Sequence, residues 1–172
     1  MGKTNVSDLE WATLERGETQ FRRKQLGAAA GGGELGCSLY ELPAEARSWP
    51  YHYHTGNEEA LFVLEGSATL RLGRETLSLE VGDYVTLPTG EDGAHRVVND
   101  STEQVRYLML STMREPDITV YPESEKIGVF AGSPPGGDDE RTVEGYFRRA
   151  DEVEYWLDEE TEPETKPDGE SE

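Results

Sequence analysis

Short runs in which apolar and polar residues alternate occupy most of residues 35–131, and Gly, Pro, Asn and Asp separate them. The runs are LGCSLYEL, SWPYHYH, EALFVLEG, ATLRL, ETLSLEV, YVTLP, HRVVN, QVRYLMLST, ITVYP and KIGVF. Such close spacing, with no sustained 3.6-residue period, is typical of an antiparallel sandwich or barrel. The pattern therefore predicts an all-β domain without a substantial helix.

The polar and apolar content divides the chain into four parts. Residues 1–18 are polar with little periodicity, which indicates an N-terminal arm, and residues 19–131 are predicted to form the barrel. Residues 132–157 are a C-terminal extension whose aromatic residues are expected to dock on the barrel from a short helix or an extended segment. Residues 158–172 are charged and nearly free of apolar side chains, so we expect a disordered acidic tail.

The charge of the chain changes the range of plausible partners. The formal net charge is −20, and the last 15 residues hold eight acidic residues and one lysine, which leaves −13 for the remainder. A basic footprint is needed to bind nucleic acid or an anionic membrane, so neither partner is expected. The 4 lysines against 12 arginines, with abundant Asp and Glu, resemble the proteins of salt-in halophiles. The alternative is an acidic mesophile protein with a disordered tail.

A halophilic protein with this charge is expected to lose stability in dilute salt. Lowering salt from about 1 M to about 0.1 M lengthens the Debye screening distance from roughly 3 to 10 Å, so repulsion among the carboxylates increases. Thermal unfolding followed by circular dichroism across that range should show a falling melting temperature. A constant melting temperature would exclude the halophile interpretation.

Two further features concern the compartment. The first residues contain no apolar signal-peptide run, and no apolar stretch approaches the roughly 20 residues of a membrane-spanning helix. The single cysteine, Cys37, cannot form an intramolecular disulfide. We therefore expect a soluble, cytoplasmic protein that packing or a metal stabilises.

Two of the three histidines lie in the sequence PYHYH, which is predicted to be a strand. Residues two apart on a strand project from one face, so His52 and His54 can both point into a barrel while Tyr51 and Tyr53 point away. Two imidazoles on one face are a common beginning of a metal site. The third histidine, His95, opens the strand HRVVN after a turn-rich stretch.

The carboxylate that completes such a site has two candidates, Glu58 and Glu59. Both stand at the start of the apolar strand ALFVLEG. With ordinary alternation Glu59 shares a face with Leu61 and Val63, which favours Glu59 over Glu58.

These residues resemble the two conserved motifs of the cupin superfamily. The segment His52-x-His54-x4-Glu59-x6-Gly66 reproduces the first, H-x-H-x(3,4)-E-x6-G, except for its leading glycine. The resemblance is greatest to small, single-domain conserved-barrel cupins.

The second motif, G-x5-P-x-G-x2-H-x3-N, follows in the expected order. Here it is Gly82-x5-Pro88-x-Gly90-x4-His95-x3-Asn99, with two extra residues before the histidine. The extra residues are expected to lengthen a loop at the barrel mouth. We interpret Gly66, Gly82 and Asn99 as turn residues. Gly90 and Gly93 are expected to allow a positive φ in the mouth loop, and none of these residues is assigned a chemical role.

The resemblance implies a double-stranded β-helix, or jelly-roll, barrel that binds one divalent metal ion. By position in the motifs, its ligands are His52, His54, Glu59 and His95. Mixed N/O sites accept Mn, Fe, Co, Ni, Cu or Zn, so the identity of the metal stays open. The resemblance also implies a homodimer that exchanges an N-terminal edge strand, for which residues 20–26 are the candidate.

Two classes of function remain open at this point. The first is a metal-dependent dioxygenase, decarboxylase or isomerase that acts on a small oxygen-rich molecule. The second is a non-catalytic module that binds a small ligand or sugar. Glu58, Tyr40, Tyr107 and Arg96 are conceivable general bases, but each also has an ordinary surface or packing role, and no catalytic residue is assigned.

Overall fold

The computed structural model describes residues 2–137 and 139–159. Within them the chain forms one four-residue helix, α1 (Leu26–Ala29), short 3₁₀ turns and thirteen strands. The strands are β1 (Ala12–Arg16), β2 (Thr19–Gln25), β3 (Gly36–Leu42), β4 (Tyr53–His54), β5 (Glu59–Glu65), β6 (Ala68–Leu72), β7 (Glu75–Leu79), β8 (Tyr84–Leu87), β9 (His95–Val98), β10 (Val105–Ser111), β11 (Asp117–Tyr121), β12 (Lys126–Ala131) and β13 (Val143–Arg148). No helix of these residues has the length and apolar character that a bilayer crossing requires.

The strands form three antiparallel sheets that together enclose one core. Their orders are β1-β2-β3-β10-β5-β8, β13-β12-β11-β4 and β7-β6-β9. An isolated bridge between His52 and His95 joins the chain just before β4 to the sheet that contains β9. The predicted all-β antiparallel architecture is therefore confirmed.

Alternation along each strand places the apolar side chains inside. In β5, Leu61 and Val63 are completely buried, whereas the side chain between them, Phe62, lies on the outer face. Each such fully buried side chain contributes roughly 1.5–3 kcal/mol to folding. The core cluster consists of Phe21, Tyr40, Leu42, Leu61, Val63, Ala68, Leu70, Leu79, Leu87, Val97, Val105 and Tyr107.

The N-terminal part differs from the expected arm and edge strand. Residues 12–16 are strand β1, which pairs with β2 and forms the edge of the large sheet. The predicted edge strand, residues 20–26, corresponds to β2 and is flanked by β1 and β3. The sequence gives little sign of β1 because four of its five residues are exposed, so no apolar period develops. A dimer through an N-terminal edge stays a prediction, and the edge that it would use is β1.

The C-terminal extension contains a strand, β13, which agrees with the extended alternative of the sequence prediction. Strand β13 pairs with β12 along its whole length, and Tyr146 within it lies against Phe130. Beyond a 3₁₀ turn, Tyr155 and Trp156 are 82% and 64% exposed, so these two aromatic side chains do not dock on the barrel. The expected acidic tail falls almost wholly on residues 160–172, which lie outside the described residues.

Asn99 of the second motif is a turn residue whose buried side chain also forms hydrogen bonds with the backbone. Its fully buried amide nitrogen lies 3.1 Å from the carbonyl oxygen of Leu42, 2.8 Å from that of Pro43 and 2.7 Å from that of Glu103. Its side-chain oxygen accepts a hydrogen bond from the backbone nitrogen of Ser101 at 3.1 Å. One side chain thus satisfies buried backbone groups of two loops.

Replacing Asn99 with alanine is expected to lower the free energy of unfolding by about 2–4 kcal/mol, because buried carbonyl groups lose their donor. Urea denaturation measures this change. Thr102→Ala, at an exposed position in the same loop, is the control and should change stability by less than about 0.5 kcal/mol. Equal effects of the two substitutions would contradict the assigned role.

Candidate metal centre

The side chains of His52, His54, Glu59 and His95 converge inside the barrel. Ligand atoms of His52, His54 and Glu59 all lie within 4.8 Å of one another. Glu59 Oε2 is 3.5 Å from His54 Nε2 and 3.4 Å from His95 Nε2. The His52 ring centroid is 4.7 Å from that of His95 and 5.1 Å from that of His54. The structure therefore brings together all four residues that the motifs indicate.

Two of the imidazole rings are held by backbone carbonyl groups. His52 Nδ1–H donates to the carbonyl oxygen of Pro50 at 2.7 Å, and His95 Nδ1–H donates to that of Gly93 at 2.9 Å. A carbonyl oxygen can only accept, so the proton resides on Nδ1 and the lone pair of each neutral ring lies on Nε2. Nε2 is also the nitrogen of His95 that faces Glu59.

The third ring is oriented by a carboxylate that the sequence analysis did not identify. Asp117, the first residue of β11, is completely buried and accepts a hydrogen bond from His54 Nδ1 at 2.6 Å. Its other oxygen accepts from the backbone nitrogen of Gly56 at 2.9 Å. Metal-bound histidines commonly donate their second nitrogen to a carboxylate or carbonyl group in this way.

Burial and neighbouring charges set the protonation of the centre. Burial, then the neighbouring His95 and His54 rings, hold the pKa of His52 well below its ordinary value. Burial likewise lowers the pKa of His95. Burial alone would lower the pKa of His54, but the hydrogen bond to Asp117 and the charge of Glu59 raise it. Two of the rings are therefore neutral at neutral pH, with lone pairs available for a cation.

The strand register separates the two candidate carboxylates. Glu59 lies opposite Leu87 and Ser111, on the inward face that it shares with Leu61 and Val63. Glu58 precedes β5, is exposed, and does not line the cavity. Glu59 thus faces inward, as alternation along the strand predicts.

Tyr51, the first tyrosine of PYHYH, has a structural role. The Tyr51 side chain is directed away from the centre as expected, but it is buried and its hydroxyl donates to the carbonyl oxygen of Gly73 at 2.7 Å. The guanidinium of Arg71 covers its ring at 4.3 Å. Tyr51 thus anchors the strand of the histidines to the β6–β7 turn.

The four residues line a cavity of about 250 Å³. The rest of its wall comes from β2, β3, the loop that follows β3, β10 and the C-terminal strands. Its polar side chains are Arg23, Tyr40, Ser48, Tyr107, Thr119, Tyr121, Arg141, Glu144 and Tyr146, and its larger apolar ones are Trp49, Met109 and Phe130.

A comparison with protein families identifies the segment that carries the centre. Residues 38–111 match the family model described as "Cupin domain". This segment is a cupin domain. All four candidate ligands lie within it.

Some solved structures are similar to most of this chain, and not only to the cupin domain. A protein assigned as a sugar phosphate isomerase from Acidithiobacillus ferrooxidans is 24% identical, with a TM-score of 0.73 over 86% of this chain and 90% of that one. A sugar phosphate isomerase of the cupin superfamily from Silicibacter pomeroyi is 20% identical, with a TM-score of 0.73 over 87% and 94%. A predicted oxalate decarboxylase from Thermotoga maritima is 18% identical, with a TM-score of 0.56 over 63% and 96%.

These similarities, with the antiparallel sheets, confirm the jelly-roll cupin fold. A search of curated proteins gives no match.

The stretch lengthened by two residues in the second cupin motif contains a three-residue 3₁₀ turn, Glu91–Gly93, which lies outside the cavity wall. Gly90 has a positive φ of 86°, as predicted, and its nitrogen donates to the carbonyl oxygen of His54 at 2.9 Å. Gly93 does not have the positive φ expected of it. It is required because a Cβ there would lie 1.6 Å from the carbonyl oxygen of Pro88. The insertion therefore positions the carbonyl group that holds His95.

The four conceivable bases are placed differently in this cupin domain. Tyr40 and Tyr107 line the cavity. Arg96 lies outside it and pairs with Glu18 at 2.9 Å. Glu58 also lies outside it.

The donor set fits a first-row divalent metal ion. Three imidazoles and one carboxylate would surround the ion with a charge sum of about +1 and leave one or two coordination positions open toward the cavity. The Nδ1 atom of each of the three rings already forms a hydrogen bond.

Proposed function

We propose that this cupin binds one divalent metal ion through His52, His54, Glu59 and His95 and uses it to act on a small oxygen-rich molecule. The observation that supports the proposal is the orientation of the three rings, each held at Nδ1 by a buried or backbone acceptor. When bound, the ion would supply Lewis-acid polarisation of a substrate oxygen.

Among dioxygenase, decarboxylase and isomerase chemistry, we propose isomerisation as the first choice. Two solved structures that resemble this chain over more than four fifths of its length are described as sugar phosphate isomerases. The substrate would then be a small polyhydroxylated molecule.

Hydroxyl groups of the cavity wall would orient that molecule. Burial, followed by the nearby Tyr40 and Glu59, raises the pKa of Tyr107 well above its ordinary value, so this phenol stays protonated and can donate. Thr119 also lines the cavity, but its hydroxyl donates to Asp117 Oδ2 at 3.5 Å and lies 3.2 Å from His54 Nδ1, so it helps to hold the centre. The buried ring of Phe130 adds an apolar surface to the same cavity.

One observation favours the alternative, a non-catalytic cupin that binds a small ligand or sugar. Apart from Glu59, the carboxylate that lines the cavity is Glu144, and Arg141 pairs with it at 2.7 Å. Within the described residues the cavity thus offers no unpaired carboxylate for general-base catalysis.

Metal analysis and turnover assays on the same preparation test the proposal. Protein purified without a metal-affinity column should contain about one divalent ion per chain by mass spectrometry. The loaded protein should interconvert aldose and ketose phosphates in an NMR assay, and the chelated protein should not. A loaded protein that binds these compounds without converting them would support the non-catalytic module, and a protein that takes up no metal would overturn the proposal.

A further inference from the structure

Two guanidinium groups line the cavity, and one of them is already neutralised. Arg141 donates to Glu144 Oε1 at 2.7 Å and to the backbone oxygens of Ser133 and Pro134 at 3.2 and 3.3 Å. Its plane also lies over the Phe130 ring at 5.1 Å. Arg141 is therefore a structural link between the C-terminal extension and the barrel, with little capacity left for a ligand.

Arg23 is the other guanidinium, and its charge is not balanced in the same way. It is half-buried on β2 and lines the cavity. The ion pairs of the described residues involve Arg22, Arg47, Arg71, Arg96, Arg106 and Arg141 but not Arg23. Six arginines of the described residues pair with a carboxylate, whereas Arg23 lines the cavity without such a pair.

A rigid aromatic group supports the Arg23 side chain. Its guanidinium carbon lies 5.9 Å from the centroid of the Trp49 ring. The Phe21 ring packs edge-on against Trp49 at 4.7 Å, and the indole nitrogen of Trp49 donates to the Tyr40 hydroxyl at 3.0 Å. A cation over a fixed aromatic face loses little side-chain entropy when it binds an anion.

Tyr40 offers a second donor beside this cation. It stands directly opposite Arg23 in the pairing of β2 and β3, and both line the cavity. Its hydroxyl oxygen accepts from Trp49, and among the described residues no acceptor takes its proton. Stacking on Tyr107 at 5.4 Å fixes its ring. A guanidinium and a free O–H on neighbouring strands match the donor arrangement that an oxyanion requires.

We propose that the substrate carries an anionic oxygen group, a carboxylate or a phosphate, which Arg23 binds with the help of the Tyr40 hydroxyl. This inference rests on the proposed function, since the oxygen atoms at the other end of the same molecule would face the four-residue centre. The net negative charge of the protein repels small anions, so selective entry of an anion requires a local unpaired cation. The cavity, of about 250 Å³, holds roughly eight water volumes, which restricts the substrate to a small molecule.

Calorimetric titration of the metal-loaded full-length protein with inorganic phosphate, and separately with acetate, tests the inference at constant ionic strength. Arg23→Gln should weaken binding of the preferred anion at least tenfold, Arg23→Lys should restore part of it, and Tyr40→Phe should produce a smaller loss. Arg74→Gln is the matched control, because it removes the same charge from an exposed arginine outside the cavity and should leave binding unchanged. Tighter binding of phosphate would indicate a phosphate ester as the substrate, and tighter binding of acetate a carboxylate.

The metal content of every variant separates this inference from the proposed function. Wild-type protein that contains metal but binds neither anion, or binds them equally well after Arg23→Gln, would overturn the role of Arg23 alone. Anion binding that survives Arg23→Gln but disappears from the chelated protein would place the anion on the ion and would also overturn it. Wild-type protein without metal affinity would overturn the proposed function, whatever the anion titration gives.

Discussion

Replacing His95 with alanine is expected to lower metal affinity by more than about 100-fold. Removing a group that only hydrogen-bonds a metal ligand usually lowers metal affinity by about 10- to 100-fold, so the loss of a ligand should be larger. The same holds for His52→Ala, His54→Ala and Glu59→Ala. Each removes one of four protein ligands, and water must then fill the vacated position. Stability should fall as well, because a metal present at 100 times its Kd stabilises a folded protein by about 2.7 kcal/mol.

Metal content by mass spectrometry and melting temperature with and without added metal measure these effects. Glu58→Ala is the matched control, since it removes a carboxylate one residue from Glu59 whose side chain lies outside the cavity. If Glu58→Ala abolished binding and Glu59→Ala did not, the assignment of Glu59 would be wrong. Unchanged metal content in all five variants would mean that the histidines are structural, and a metal-free binding module would then be the better interpretation.

The second large effect is expected at Asp117, which contacts the centre only through His54. In Asp117→Asn the amide keeps the shape of the side chain but has one donor end and one acceptor end. Both neighbours, His54 Nδ1–H and the nitrogen of Gly56, are donors. One of them must therefore oppose an N–H group, or His54 must move its proton to Nε2 and lose the lone pair that faces Glu59. Metal affinity should fall about 10- to 100-fold.

Competition with a chelator of known affinity measures the loss in Asp117→Asn. Nitrogen NMR of the histidine side chains would report the tautomer of His54, a signature that simple destabilisation would not change. The control is Asp100→Asn, an exposed acceptor that binds the Thr69 hydroxyl at 2.8 Å. Wild-type metal affinity together with an unchanged His54 tautomer would show that Asp117 has no orienting role.

The sequence predicted the centre where local rules suffice. A two-residue spacing places His52 and His54 on one face, and the same period assigns Glu59 to the inward face of β5. Asp117 could not be found in this way, because it is 63 residues from His54 and meets it only through the pairing of β4 with β11. The run ITVYP predicted a strand but not its partner. The one signal that the sequence offers for Asp117 is its position directly before the apolar run ITVYP.

The segment before the cupin motifs was harder to predict, because its strands and side chains are also defined by long-range pairing. Strand β1 has both faces largely exposed, and no apolar period distinguishes it from an arm. Arg23 shows in the sequence only as one of several charges in FRRKQ, and its place in the cavity follows from the pairing of β2 with β3. Side chains whose role depends on long-range strand order are those that a local pattern cannot assign.

The cavity wall is formed both by residues inside the segment that matches the cupin family and by residues outside it. The four candidate ligands lie within residues 38–111, whereas Arg23 precedes that segment and Tyr121, Phe130 and Arg141 follow it. The candidate ligands and part of the cavity wall are thus encoded in separate stretches of one chain. Exchanging strand β2 and the segment from β12 to β13 would change this part of the wall and leave the four candidate ligands and Asp117 in place, so the molecule that fits the cavity can change while the candidate metal centre stays the same.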